Sequence, residues 1–212
     1  MNTSSLPKRP RGRPSKHGLA YADTKQTLIR RGIEMLTEQG MIATSLDELM
    51  RSVQVPKGSF YHYFTSKDAF VLEVVNAYNV YFLKKLDRFL LTEDLSPMQR
   101  IAAFVQDAGQ GMQRYAFKRG CLVGNLGQEA SYLDGELINR LESIFREWEV
   151  KICCCLQQIP VEKIHHSLSC EQLAHQFWIG WEGAVLRARL VKSEQPLHEF
   201  YQLFKMAVLS SE

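Results

Sequence analysis

The stretch from Val55 to Lys67, Val-Pro-Lys-Gly-Ser-Phe-Tyr-His-Tyr-Phe-Thr-Ser-Lys, narrows the options for this chain more than any other segment. Gly58 lets a helix start come close to a phosphate backbone, and Ser59 adds a small hydrogen-bonding group. Tyr61, His62 and Tyr63 can lie against sugar, phosphate or base edges, and Lys57 and Lys67 bracket the segment with positive charge. The preceding residues supply the rest of a helix-turn-helix. Leu28, Ile29, Ile33, Met35 and Leu36 recur at helical spacing and predict helix one over Asp23–Gln39, with Gly40 as its C-terminal cap. Thr44 or Ser45 caps a short second helix carrying Leu46, Leu49, Met50 and Val53, with Asp47 and Glu48 where the helix dipole favours acids. Val55 and Pro56 then open the turn into helix three. The competing reading is a three-helix core with no nucleic-acid role.

Gly58, Ser59, Tyr61, His62, Tyr63, Phe64, Ser66 and Lys67 together resemble the signature that closes the DNA-binding head of the tetracycline-repressor (TetR) family. Gln54 departs from that pattern, standing where a glycine is common, and predicts a reshaped turn. The resemblance implies an all-α fold of about nine helices, three in a DNA-binding head and six in a C-terminal effector-binding and dimerisation domain. It also implies a homodimer whose last two helices pair with those of the second copy, reading a palindromic double-stranded operator.

A second DNA signal precedes the head. Lys8, Arg9, Arg11, Arg13 and Lys16 carry five positive charges with no acid before Asp23, whereas the whole chain carries +3, so everything after this arm sums to about −2. Pro7, Pro10 and Pro14 oppose a helix, so residues 1–22 are expected to be a disordered arm. Arg11-Gly12-Arg13-Pro14 looks like an AT-hook, whose arginines enter a narrow minor groove; the alternative is a nonspecific polybasic tail.

The layout expected from these signals is an arm over 1–22, a head over 23–68 and an effector domain over 69–212. Beyond Lys67 the pattern stays helical, with starts at Ser66, Ser96-Pro97, Leu122, Asp134, Ser169 and Pro196. No stretch reaches the roughly 18–20 apolar residues of a membrane span, and no apolar segment follows the basic arm as in a secretory leader. Five cysteines, an odd number, fit a reducing cytoplasm. Gly180, Gly183, Ala184 and Ala188 form a small-residue stripe, and Leu197, Phe200, Tyr201, Phe204 and Val208 an apolar face; both suit helix pairing, between copies or within one.

The effector site is marked less strongly. Gly120-Cys121-Leu122-Val123-Gly124-Asn125-Leu126-Gly127-Gln128-Glu129 mixes small, apolar and polar residues as a pocket wall does, and nominates Cys121, Asn125 and Glu129. Similar Gly-Cys-Leu segments occur in TetR regulators that sense electrophiles or small unsaturated carboxylates, and the chain resembles the AcuR-like, acrylate-associated members. On that resemblance Cys121 is the electrophile-sensitive position, with thiolate character from a helix start and from Lys118 and Arg119; the other reading is a space-filling buried thiol. Trp148, Trp178 and Trp181 are pocket or core aromatics, and Arg187, His175 or Lys151 could hold a carboxylate. Cys153, Cys154 and Cys155 point about 100° apart on a helix and cannot converge on a metal, and His165-His166 falls in a loop. No metal or cofactor is expected, and no nucleophile–base pair or phosphate loop suggests an enzyme. Two functions follow: a repressor released from its operator by a small effector such as acrylate or a reactive electrophile, or a constitutive architectural DNA-binding protein without an effector.

Overall fold

The computed structural model describes residues 16–164 and 168–209, with side chains from Tyr21 onward. The hook-like Arg11 and Arg13, and His165-His166, lie outside the described residues. Among the described residues there are nine α-helices: α1 (Lys16–Gln39), α2 (Leu46–Ser52), α3 (Phe60–Tyr63), α4 (Lys67–Leu90), α5 (Pro97–Arg114), α6 (Leu122–Gly127), α7 (Gly135–Leu156), α8 (Cys170–Val191) and α9 (Gln195–Val208). Extended pairing in this region is limited to one bridge between Ile164 and Leu209. α1 begins at Lys16, ahead of the expected Asp23, so part of the segment expected to be a disordered arm is helical.

Most of the caps named from sequence close their helices. Ser66 accepts from the Ala69 amide at 3.0 Å and Asp134 from the Leu137 amide at 2.8 Å. Ser96 with Gln99 and Ser169 with Gln172 form capping boxes at α5 and α8. α2 differs: Ser45 occupies the N-cap without a side-chain bond, and buried Thr44 donates instead to the Gly40 carbonyl at 2.6 Å. Gln54 takes φ 57°, the left-handed conformation that a glycine would adopt without a Cβ penalty. Gln54 therefore holds a left-handed backbone conformation at a cost that glycine would not carry.

Phe60, Phe64 and Phe70 interlock beneath the head, with ring centroids 4.9–5.7 Å apart, and tie α3 to α4. Behind them a second aromatic core joins α4, α5, α7 and α8 through Phe82, Phe104, Trp148 and Trp178, with the two indoles 5.0 Å apart. α1 packs against α4 and also against α6, so the head is in direct contact with the C-terminal domain at two places.

The faces nominated for dimerisation turn out to be largely internal. Leu197, Tyr201, Phe204 and Val208 are buried against the chain's own core, as are Ala184 and Ala188, and Phe200 fills the space left by Gly180. A different surface is left open. Ile179, Leu186 and Leu190 share one stripe of α8 with Gly183, and Leu203 and Met206 stand 67% and 73% exposed on α9.

Candidate DNA interface and effector cavity

Lys57–Ser59 forms a single 3₁₀ turn leading into the four-residue α3. Because Phe60 and Phe64 point inward on this short element, Tyr61 and His62 are turned out, Tyr61 being 68% exposed. A Cβ on Gly58 would meet nothing within 4 Å, so glycine is not required there by the chain's own packing and the bare backbone faces outward. Lys57 pairs with Asp47 at 2.8 Å, which sets the recognition turn beside the first turn of α2 and its exposed Ser45. Arg51, which the sequence reading passed over, lies with Asp47 and Lys57 around a shallow depression; a basic residue in the last turn of α2 was its only signal.

Two nominated DNA residues serve the scaffold. Tyr63 stacks on Tyr21, centroids 4.8 Å apart, while the Tyr21 hydroxyl donates to the His62 carbonyl at 2.8 Å, so α1 clamps α3 from the side. Lys67 spends its ammonium on the carbonyls of Met41 (2.7 Å) and Thr44 (2.8 Å), bracing the loop between α1 and α2. Ser59 is half-buried at the head of α3.

A cavity of about 520 Å³ lies between α1, α4, α5 and the loop into α6. Its walls are mostly apolar and aromatic, including Tyr78, Phe82, Phe104, Tyr115 and Trp181, with Cys121 among them. Arg30, Ile33, Glu34 and Thr37 complete it from α1, which also forms the first helix of the head. Three cations border it: Lys85 is paired with Asp107 at 2.6 Å, and Arg119 with Glu38 at 2.8 Å while lying over the Tyr115 ring. Among the described residues, Arg30 makes a single 3.4 Å bond, to Thr27.

Of the nine effector candidates named from sequence, Cys121 and Trp181 line this cavity. Trp148 is fully buried and donates to Asn79 at 2.8 Å, and Trp178 packs behind the wall in the aromatic core. Arg187 is exposed on the outer side of α8, whereas Arg189 on the same helix faces inward. Lys151 and His175 pair with Asp87 (2.7 Å) and Glu149 (2.8 Å), away from the cavity. Asn125 and Glu129 hold the head: Asn125 donates to the Thr37 carbonyl at 2.5 Å, and Glu129 accepts from the Met41 amide at 2.7 Å. Arg189 completes this latch, donating to Asn125 Oδ1 at 2.8 Å and to the Glu38 carbonyl at 2.9 Å. Gly40 carries φ 76°, and a Cβ there would collide with the Glu129 carboxylate, so both backbone and latch require glycine.

The thiolate expected at Cys121 is not supported by its surroundings. The side chain is 6% exposed and its Sγ accepts from the Gly124 amide at 3.4 Å. Burial, and the Glu182 carboxylate next to it, hold the thiol well above its ordinary range. The same burial raises the Glu182 carboxyl to about 7 and pushes the Tyr78 phenol up. Arg119, expected to help the thiolate form, is committed to Glu38 and Tyr115.

Comparison with known proteins agrees with this architecture. Residues 28–74 match the family described as bacterial regulatory proteins, tetR family, and residues 97–204 match the tetracyclin repressor-like C-terminal domain. The transcriptional regulator AcuR of Cereibacter sphaeroides is 41% identical over 92% of this chain and 88% of its own length. A crystal structure of the regulatory protein TetR from Rhodobacter sphaeroides, 40% identical, superposes with a TM-score of 0.83 over 87% of this chain and 98% of that one. The reduced form of Escherichia coli NemR, 25% identical, gives 0.79 over 90% and 98%. With both domains matched in sequence and the whole fold matched in structure, the chain belongs to the TetR family of transcriptional regulators.

Proposed function

We propose that this regulator is a dimeric repressor whose hold on a palindromic operator is loosened when a small effector enters the cavity, an unsaturated carboxylate such as acrylate or a related electrophile. One observation carries the reading: the cavity wall includes Ile33, Glu34 and Thr37 of α1, so its contents touch the helix that clamps the recognition turn through Tyr21. An effector favouring one placement of α1 by roughly 2–3 kcal/mol would change operator occupancy tens-fold. The aromatic walls suit a small, partly apolar molecule, and Arg30 is the lightly held cation available to its carboxylate. The open stripe of Ile179, Leu186, Leu190, Leu203 and Met206 is the surface on which a second copy would sit.

Fluorescence anisotropy of the protein on DNA from its own promoter region, with and without acrylate and a thiol-reactive electrophile, tests this reading. Release by either compound is the expected result. Tight binding that ignores both, and ignores a wider panel of small acids and enones, would favour the constitutive architectural role. Light scattering at micromolar concentration should give a dimer, and Leu203→Lys should yield monomers.

A further inference from the structure

We propose that Glu182 is the proton acceptor that makes the buried Cys121 thiol reactive toward small α,β-unsaturated carbonyl compounds in the cavity; this rests on the effector reading above. Cys121 Sγ and the Glu182 carboxylate converge at the first turn of α6. Sγ takes the Gly124 amide at 3.4 Å, and the carboxylate occupies the space over Gly124 where any Cβ would strike Oε2. Thiol and carboxylate thus meet over one glycine, and the carboxylate is the charged neighbour acting on the thiol. Part of the Glu182 side chain reaches solvent, but Oε1 is sealed from it and has no hydrogen-bond partner among the described residues. A buried carboxyl oxygen without a partner costs stability and no packing role in the fold accounts for it, which suits a group retained for chemistry. Arg189, farther along α8, spends its guanidinium on Asn125, Glu38 and Lys118, so it does not neutralise Glu182. The glycine in Gly-Cys-Leu-Val-Gly124 thereby acquires a reason: it is the gap through which Glu182 reaches the thiol.

A thiol so placed is not a standing thiolate, because both burial and its anionic neighbour oppose the charge. It can react if its proton leaves as the new bond forms. The Glu182 carboxylate takes the Sγ proton while sulfur bonds to the β-carbon of the alkene; the π pair moves toward the carbonyl as an enolate, and the α-carbon then takes the proton back from Glu182. The net change is addition of S–H across C=C, with no oxidant, reductant or leaving group. The titratable groups facing Glu182 are Cys121 at the start of α6 and Tyr78 on α4.

The test is the rate of Cys121 modification by acrylamide in the full-length protein, followed by peptide mapping between pH 6 and 9. In the wild type the rate should rise through a midpoint near pH 7, where Glu182 ionises. Glu182→Gln should slow it at pH 7.5 by roughly a hundredfold, the low end of general-base catalysis, and move the rise to alkaline pH. Were Glu182 only a repulsive neighbour, the same substitution would ease thiol ionisation and speed the reaction; an equal or faster rate overturns the proposal. Gly124→Ala, which displaces the carboxylate but keeps it, should slow modification as well, and an unchanged rate there also counts against it. Absence of any Cys121 adduct in the wild type overturns the proposal whether or not the compound releases DNA. An adduct that depends on Glu182 but leaves DNA bound would sustain the chemistry and remove the effector reading.

Discussion

In the recognition turn Tyr61 and His62 stand in solvent while Phe60 and Phe64 hold them from beneath; around the cavity the arrangement inverts, with Asn125, Glu129, Arg189 and Glu182 drawn inward and much of the outer surface of α8 apolar. The turn presents Tyr61 and His62 to solvent, whereas Asn125, Glu129 and Arg189 are spent on holding α1 and its loop to the rest of the chain. Substitutions in the first region should therefore change binding without changing stability, and substitutions in the second should change both.

The largest contrast is expected within the head itself. Phe60→Ala should cost about 3–5 kcal/mol in urea unfolding, since it empties the centre of the α3–α4 aromatic interlock. Tyr61→Ala should stay within about 0.5 kcal/mol of wild type yet lose roughly 5- to 150-fold in operator affinity, as loss of a DNA contact of about 1–3 kcal/mol implies. If Tyr61→Ala destabilised the fold instead, the division between the two regions would fail. Next comes Arg189→Ala, which strands Asn125 Oδ1 and the Glu38 and Lys118 carbonyls. A loss of about 2–3 kcal/mol is expected, together with a weaker response of DNA binding to effector, measured by denaturation and anisotropy on the same samples.

Glu182→Gln sharpens the comparison through pH. The folded carboxyl titrates near 7 rather than 4.5, so the native state holds its proton more tightly than the unfolded chain between those values, and stability falls as pH rises through that window. Glutamine has nothing to lose. The variant should match wild type near pH 4.5 and exceed it by roughly 2–3 kcal/mol at pH 8, checked by unfolding curves at both pH values. The smallest effect belongs to Gln54→Gly, which relieves a left-handed residue and should raise the melting midpoint by an amount worth up to about 1 kcal/mol, leaving operator affinity unchanged.

What was legible in the sequence was local. The caps at Ser66, Ser96, Asp134 and Ser169 are specified by residues a few positions apart, and the structure has them where the sequence puts them. The cavity joins α1 to residues as distant as Val185, and no short-range pattern announces such a meeting. From sequence α1 belongs to the head alone, and nothing in its pattern marks Arg30, Glu34 and Thr37 as cavity residues. Arg187 and Arg189 illustrate the remaining difficulty: two positions along a helix reverse the direction of a side chain, and only packing decides which one faces in. Lys67 and Tyr63 sit inside the signature and so read as DNA contacts, yet that signature holds what builds the turn as well as what the turn presents.

The sharing of α1 between cavity and head has a consequence for how such a protein can diversify. If the cavity takes the effector as proposed, a substitution at Ile33 or Thr37 that reshapes it would also alter the helix that carries Tyr21, and a change of chemical taste would arrive together with a change of resting output. Variants selected only for a new inducer should drift in basal expression, and recovering it would need compensating changes elsewhere on α1. On the same reading, the wall contributed by α5, at Ala108 and Met112, would be where selectivity is tuned with the output level left alone.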